Sequence, residues 1–453
     1  MTRGRHRKPV VTAKNLFDAC KAMPAGQLRE LVELAEGAAY LIEPERVRAS
    51  VERLESGLRE HYPRSFVAYS YKTNYQDALI AAARDAGALS EVVSGTELAY
   101  ALQLGVGDRE LIFNGPGKTT AELRDAMQRE LVLIVDSINE LRRLAELARG
   151  GVPLRATLGI RLAPDLSFQR EPSRFGIDLE CADDLAALRA LVSGGAALPI
   201  CGVHLHLTCD RSVGGFVERI DHLLAAWRRL GLGPLRFIDC GGGFASAVPD
   251  ALASQLDYPI ASLREYGAAL GRHLRRRVPD QSIDFLCEPG TGILADAGVI
   301  ATPVLDVKCI AGRSIAVVDG TAFTIAPLRS RAEPVCWRVQ TSREPRAWVA
   351  GPVAVYGNSC MEIDRLIEAF DAPLAVGDVL LFAQKGAYAG CVAAPFIQGI
   401  PAVVALESDS FRLLRRRTGP ELLRSLNASS APEQDPAALE QPPSSMSKRE
   451  ARL

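Results

Sequence analysis

SFVAYSYKTN, residues 65–74, is an apolar run that stops on a charge. Ser65 to Tyr71 has the aromatic, β-branched and small residues of a buried strand, and Lys72 follows at once. A lysine where a buried strand stops is an odd place for a solvated ammonium. In an apolar setting the charged form is disfavoured and the pKa falls, which frees the amine to attack a carbonyl group. Taken alone, Lys72 is better read as a surface lysine just past a strand. The rest of the chain has to decide.

Outward from that run, eight β-type segments follow in order, at 66–71, 89–93, 111–114, 131–136, 156–162, 200–207, 235–240 and 284–288. Most gaps carry an amphipathic helical pattern, as in YQDALIAAARDAG and GFVERIDHLLAAWRRLG. Near-continuous apolar strands alternating with helices predict a parallel sheet covered by helices. Eight such units match a (β/α)8 barrel in size, with a doubly wound open sheet as the competing architecture. After about Gly298 the texture turns β-rich, in runs such as GVIATPVLDVKCI and GDVLLFAQKGAYAG. The expected fold class is therefore α/β: a TIM barrel over 41–298 followed by an all-β domain over 299–412. Residues 1–40 are expected to contribute to the β-domain. Residues 413–453, rich in Pro, Ser, Gln and charge, read as a disordered tail.

Bulk properties exclude several functions. With 453 residues and 48% apolar content, the chain is enzyme-sized. A net charge of -1 gives no global field for nucleic acid or acidic lipid. No apolar run approaches the roughly 20 residues of a membrane span. The basic start MTRGRHRKPVV lacks the apolar segment of a secretory signal. The ten cysteines are scattered without a CxxC pair, which suits a reducing cytoplasm and argues against disulfides or a metal site.

In a barrel the chemistry lies at the carboxyl ends of the strands. Those ends carry Lys72, Ser94 to Glu97, Asn114, Arg161, His204 or His206, Gly241-Gly242-Gly243 and Glu288. Three glycines after a strand let backbone N–H groups approach an anion; alone they read equally well as a tight turn. His204 and His206 are expected on opposite faces of their strand, one of them pointing into the mouth. Either could be a packing residue; the functional reading is a flat ring stacked on a flat ligand. Glu288, at the end of a buried run, needs a positive or proton-donating partner, and an ion pair with Arg161 would be one.

These residues carry a resemblance. YSYKTN, EVVSGTEL, IFNGPGKT, IRLAPDLSFQREPSRFGID, GVHLHL, IDCGGGF, CEPGTGILADAG, VVDG, GPVAVYGNSCMEID and GDVLLFAQKGAYAG stand in the order found in pyridoxal-phosphate decarboxylases of the ornithine and diaminopimelate group, with the alanine-racemase-like fold. The resemblance covers about residues 40–400. It implies an amino-acid decarboxylase that uses pyridoxal 5'-phosphate, works as a homodimer and shares its active sites between subunits. Lys72 would tether the cofactor, His206 would stack on its ring, and Glu288 would pair with the ring nitrogen. Gly241, Gly242, Gly243 and Tyr388 would serve the phosphate. Cys360 would reach in from the partner, with Asp364 four residues later; Glu91 and Glu97 would lie near Lys72.

The chain departs from that pattern at four places. HLTC replaces HIGS or HVGS, putting Thr208 and Cys209 where a glycine and a phosphate-binding serine stand. EPGT replaces EPGR, so Thr291 stands where an arginine would meet the phosphate. Met361 replaces an acid, and Ala326 an arginine, that read the far end of the substrate. These two changes point away from diaminopimelate and plain ornithine. Glu362, Arg329 and Arg331 are the spare charges. The wording around YSYKTNY and CMEID is similar to the branch serving siderophore and other secondary-metabolite pathways. The alternatives are a racemase on the same fold, against which Glu288 and Cys360 argue, and a non-catalytic regulator, against which Lys72 and Cys360 argue.

Overall fold

The computed structural model describes residues 15–163, 173–193, 198–208, 210–256, 260–328, 334–341, 347–408 and 410–428. The strands in chain order are β1 Ala39–Ile42, β2 Ser65–Ser70, β3 Leu89–Val92, β4 Leu111–Phe113, β5 Val132–Val135, β6 Thr157–Ala163, β7 Ile177–Asp178, β8 Ile200–His204, β9 Phe237–Asp239 and β10 Asp284–Cys287. They continue with β11 Gly298–Ile310, β12 Arg313–Val318, β13 Cys336–Val339, β14 Trp348–Val349, β15 Val353–Tyr356, β16 Arg365–Phe370, β17 Leu374–Ala375, β18 Val379–Phe382, β19 Ala402–Glu407 and β20 Ser410–Arg415.

Eight strands close into a parallel barrel in the order β5-β4-β3-β2-β10-β9-β8-β6, sealed by a β5–β6 pairing; β7 adds to β6 outside the ring. Ring closure excludes the open sheet. Five of the helices that follow barrel strands start on Ser94, Thr119, Ser137, Ser212 or Ser262, whose side chains accept the N–H three residues on. Each such cap is worth about 1 kcal/mol. It also fixes where a βα turn ends, and so where the strand-end side chains point.

The barrel interior is filled by an apolar layer of Ala68, Ile112, Ile134, Phe237 and Leu286. Phe237 occupies the space left by two glycines: a Cβ on Gly159 or Gly202 would come within 2.6 or 2.1 Å of its ring. Strand side chains repeat with period two. The residues two positions further on, towards the carboxyl ends, are therefore a second inward layer. That layer includes Ser70, Asn114, Asp136, Arg161, Asp239 and Glu288, and is polar throughout.

The second sheet runs β16-β15-β12-β11-β1-β19-β20, with β18 bridging β11 and β13. β1 lies antiparallel to β11 and parallel to β19. Leu41 and Ile42, expected in the barrel, thus belong to the β-domain sheet. The C-terminal edge also shifts. β20 and a helix Pro420–Asn427 occupy residues expected in a disordered tail, and Arg417 pairs with Asp319 at 2.6 and 3.0 Å. Alternating apolar residues in SFRLLR pair with β19, which offsets the polar composition around them. Residues 429–453 lie outside the described part of the chain.

Candidate active site

Lys72 sits in a short 3-10 turn, Tyr71–Thr73, directly after β2. Its side chain is 29% exposed, and Nζ lies 2.7 and 2.5 Å from the two carboxylate oxygens of Glu91, which is buried on β3. Burial pushes the Lys72 pKa down, as the sequence suggests. The carboxylates of Glu91 and Glu288 outweigh burial, however, and the net shift is upward. The expected free amine is therefore an ammonium held in a carboxylate cage. Burial and the nearby Glu288 raise Glu91 to about 7, against the opposing pull of the Lys72 ammonium, which keeps its proton.

This cage has a testable sign. Attachment of an aldehyde needs the neutral amine, so its rate should rise about tenfold per pH unit up to the Lys72 pKa. Glu91→Gln removes an upward cause. At any pH between 6 and 10 the variant should therefore take up pyridoxal phosphate faster than the parent protein, whose plateau lies above that range, as read by stopped flow. Equal or slower uptake would overturn the cage.

Behind Lys72 lies Glu288, buried at the end of β10. Asn114 donates to its Oε1 at 2.8 Å, and His204 Nε2 stands 3.7 Å from its Oε2. Burial opposes its ionisation, but the His204 ring and the Lys72 ammonium outweigh burial and hold the carboxyl below the usual range. Asp239 goes the other way: burial and Glu288 push it well up, so it stays protonated beside an ionised neighbour. Arg161 is not the partner of Glu288; it stands 3.6 Å from Asp136 and 4.4 Å from the Phe175 ring centre.

Both histidines reach the site, and the expectation of opposite faces fails: residues two apart along a strand share a face, so the direction that turns His204 inward at the end of β8 also carries His206 to the mouth. His206 Nδ1 accepts the Gly242 N–H at 2.8 Å, and burial together with Lys72 lowers its pKa well below the ordinary value. The ring is therefore neutral, with its proton on Nε2. Gly241 and Gly243 have left-handed φ values of 64° and 97°. Side chains there would strike the Leu205 and Leu207 carbonyls at 2.7 and 2.6 Å, so packing demands these glycines as strictly as ligand approach does.

The β-domain closes one side. Tyr388, at φ 54°, donates its N–H to the Thr73 carbonyl at 2.9 Å, and its hydroxyl lies 3.5 Å from Thr73 Oγ1. Cys391, which the sequence reading did not single out, places Sγ 3.4 and 3.2 Å from the Lys72 and Thr73 carbonyls. Its only sequence signal is its place three residues after Tyr388. Glu97 is occupied elsewhere, by the Val93 N–H and the Tyr75 hydroxyl. Cys360 is exposed on the turn after β15. Asp364 is buried under that turn, accepting the Ala322 and Ser359 N–H groups at 2.5 and 3.0 Å. Cys209, Arg329 and Arg331 lie outside the described residues, and Glu362 is exposed.

The mouth thus offers an amine, an ionised carboxylate deep among neutral donors, a neutral flat ring, and a glycine turn. Asp239 Oδ2 and Asn114 Oδ1 are buried there without a hydrogen-bond partner among the described residues. This donor set fits pyridoxal phosphate: Lys72 for the aldehyde, Glu288 for the ring N–H, His206 for the ring face, and the turn with Tyr388 for the phosphate.

Comparison with known proteins gives the same chemistry. The family described as pyridoxal-dependent decarboxylase, pyridoxal binding domain, matches residues 48–295. Diaminopimelate decarboxylase of Aquifex aeolicus is 26% identical over 383 residues, 81% of this chain and 86% of that protein. The Pseudomonas fluorescens enzyme of the same name is 28% identical over 371 residues, 79% and 85% of the two chains. The structure of Helicobacter pylori diaminopimelate decarboxylase complexed with L-lysine superposes with a TM-score of 0.72 at 23% identity, covering 88% of this chain and 98% of that one. Since the family match spans more than half of the sequence and its cofactor suits the barrel mouth, the chain belongs to the pyridoxal-dependent decarboxylases, carboxy-lyases that act on amino acids with pyridoxal phosphate.

Proposed function

We propose that this chain removes the α-carboxylate of a basic or dicarboxylic amino acid, or of a conjugate carrying an amino-acid end, as a homodimer in the cytoplasm. The carrying observation is the Lys72 ammonium, 2.7 Å from Glu91 and beside ionised Glu288 at the barrel mouth. Bound pyridoxal phosphate supplies an electron sink for the pair left on the α-carbon when carbon dioxide departs. Glu288 keeps a proton on the ring nitrogen, without which that sink is weak. His206 presents a flat neutral face, and Glu91 orients the Lys72 side chain at the mouth. Cys360 of the partner subunit would return a proton to the α-carbon. A carboxylate at 288 argues against the racemase reading, because racemases that resemble this fold pair the ring nitrogen with an arginine.

Apolar side chains support the dimer. Met361 and Ile363 flank Cys360 at 37% and 56% exposure. Phe396 and Ile397 are exposed nearby, joined through the Phe323–Phe396 ring pair and the Ala322–Asp364 hydrogen bond. Such a patch around an exposed thiol suits an interface between copies.

The named relatives act on diaminopimelate. Ala326 and Met361 here argue for a different distal group, and we assign the chain to siderophore or other secondary-metabolite synthesis. Carbon dioxide release across basic amino acids, diaminopimelate and citrate-linked conjugates tests this. Turnover of a conjugate or a basic amino acid above diaminopimelate supports the assignment; diaminopimelate as best substrate overturns it. Cys360→Ala should lower turnover about 100-fold with cofactor still bound. Mixing it with inactive Lys72→Ala should restore some activity through hybrid dimers, and absence of complementation would sink the shared site.

A further inference from the structure

The turn that would hold the phosphate lacks the arginine expected at position 291, where Thr291 opens a short helix, Thr291–Leu294. A buried cation reaches the same turn from another element. Arg219 lies two turns into the helix Val213–Leu230 and is 0% exposed. Long helical side chains point back towards the N-terminus of their helix, which carries this guanidinium to the glycine turn. Nη1 donates to the Gly242 carbonyl at 2.8 Å and Nη2 to the Asp210 carbonyl at 2.5 Å. The Phe216 ring centre lies 4.2 Å from the guanidinium carbon. Both terminal nitrogens stand 3.6 Å from where a Cβ on Gly243 would be.

The Gly242 contact has a directional consequence. In a trans peptide the C=O and the following N–H point to opposite sides. With its carbonyl pinned on the helix side by Arg219, the Gly242–Gly243 peptide turns its N–H away from that helix, towards the barrel mouth. A guanidinium polarising the carbonyl strengthens that N–H as an anion donor and adds positive charge behind it.

We propose that Arg219 sets the phosphate affinity of this site, by holding the Gly242–Gly243 peptide in its anion-binding orientation and supplying the positive charge that position 291 lacks. It is a positioning residue, acting through the peptide and its field. The proposal rests on the pyridoxal-phosphate reading of the barrel mouth.

The test separates phosphate from ring. The full-length protein, stripped of cofactor, is titrated with pyridoxal phosphate and with pyridoxal, following the visible band of the lysine adduct. Arg219→Met is expected to weaken pyridoxal phosphate by about 10- to 100-fold while moving pyridoxal less than about twofold. Adding Thr291→Arg to that variant should restore part of the preference. Arg219→Lys, which keeps the charge and loses the fork, should fall between and serves alone if the methionine variant does not fold. An unchanged ratio of the two affinities, or equal weakening of both ligands, overturns the proposal. A parent protein that forms no adduct with either ligand overturns the cofactor reading and this proposal with it; adduct formation with an unchanged ratio overturns the proposal alone.

Discussion

Lys72→Ala should reduce decarboxylation by at least about 1000-fold and remove the visible band of a lysine-bound pyridoxal group. The amine stands at the end of β2, fixed by the turn Tyr71–Thr73 and held 2.7 Å from Glu91. Alanine cannot tether the aldehyde, so cofactor and substrate would have to meet from solution, forfeiting the effective concentration that a fixed neighbour confers. The fold should survive, because Lys72 is part-exposed and its carboxylate partner can take up a proton: Glu91 already lies near 7. An added small amine is expected to recover part of the rate by replacing the lost nitrogen. Measured turnover, absorbance and thermal midpoint together check this. An active, yellow variant would refute the role.

Glu288→Gln is expected to lower kcat by about 100- to 1000-fold, with cofactor still bound and KM within a few-fold. The substitution preserves shape but removes the negative charge. Glutamine cannot keep a ring nitrogen protonated, so charge developing on the α-carbon loses its sink. Because the His204 ring and Lys72 hold Glu288 below the usual carboxylate range, its own titration should leave the parent profile flat through mildly acidic pH. The sign follows: a group already ionised above its depressed pKa contributes fully there and is lost only in strong acid. The same substitution removes upward causes on Lys72 and Glu91, so both pKa values should fall. Steady-state kinetics with an absorbance spectrum of the variant settle it; an unaltered kcat would overturn the assignment.

Much of this was legible because burial leaves a periodic trace. The eight barrel strands appear as short apolar runs, and each ends within a residue or two of its structural limit, except the run 200–207. There the apolar character continues past β8 because Leu205 and Leu207 are buried in the turn, so composition could not mark where the strand stopped. The tail misled for the opposite reason: the charges of SFRLLRRR conceal an edge strand, since an edge needs only one buried face.

The chain order alone determined the parallel α/β sheet, the lysine at its rim and the carboxylate at another strand end, because a strand of period two must carry polar residues outward along the same face that it fills with apolar ones; closure into a ring came only with the β5–β6 pairing. What only the tertiary structure decided was the charge state and company of those groups. Whether Lys72 is an amine or an ammonium, whether Glu288 meets Arg161 or Asn114 and His204, and which arginine stands behind the glycine turn all depend on distances of a few ångströms between residues far apart in sequence. Coulomb energies at low dielectric vary steeply over that range, so no local pattern encodes them.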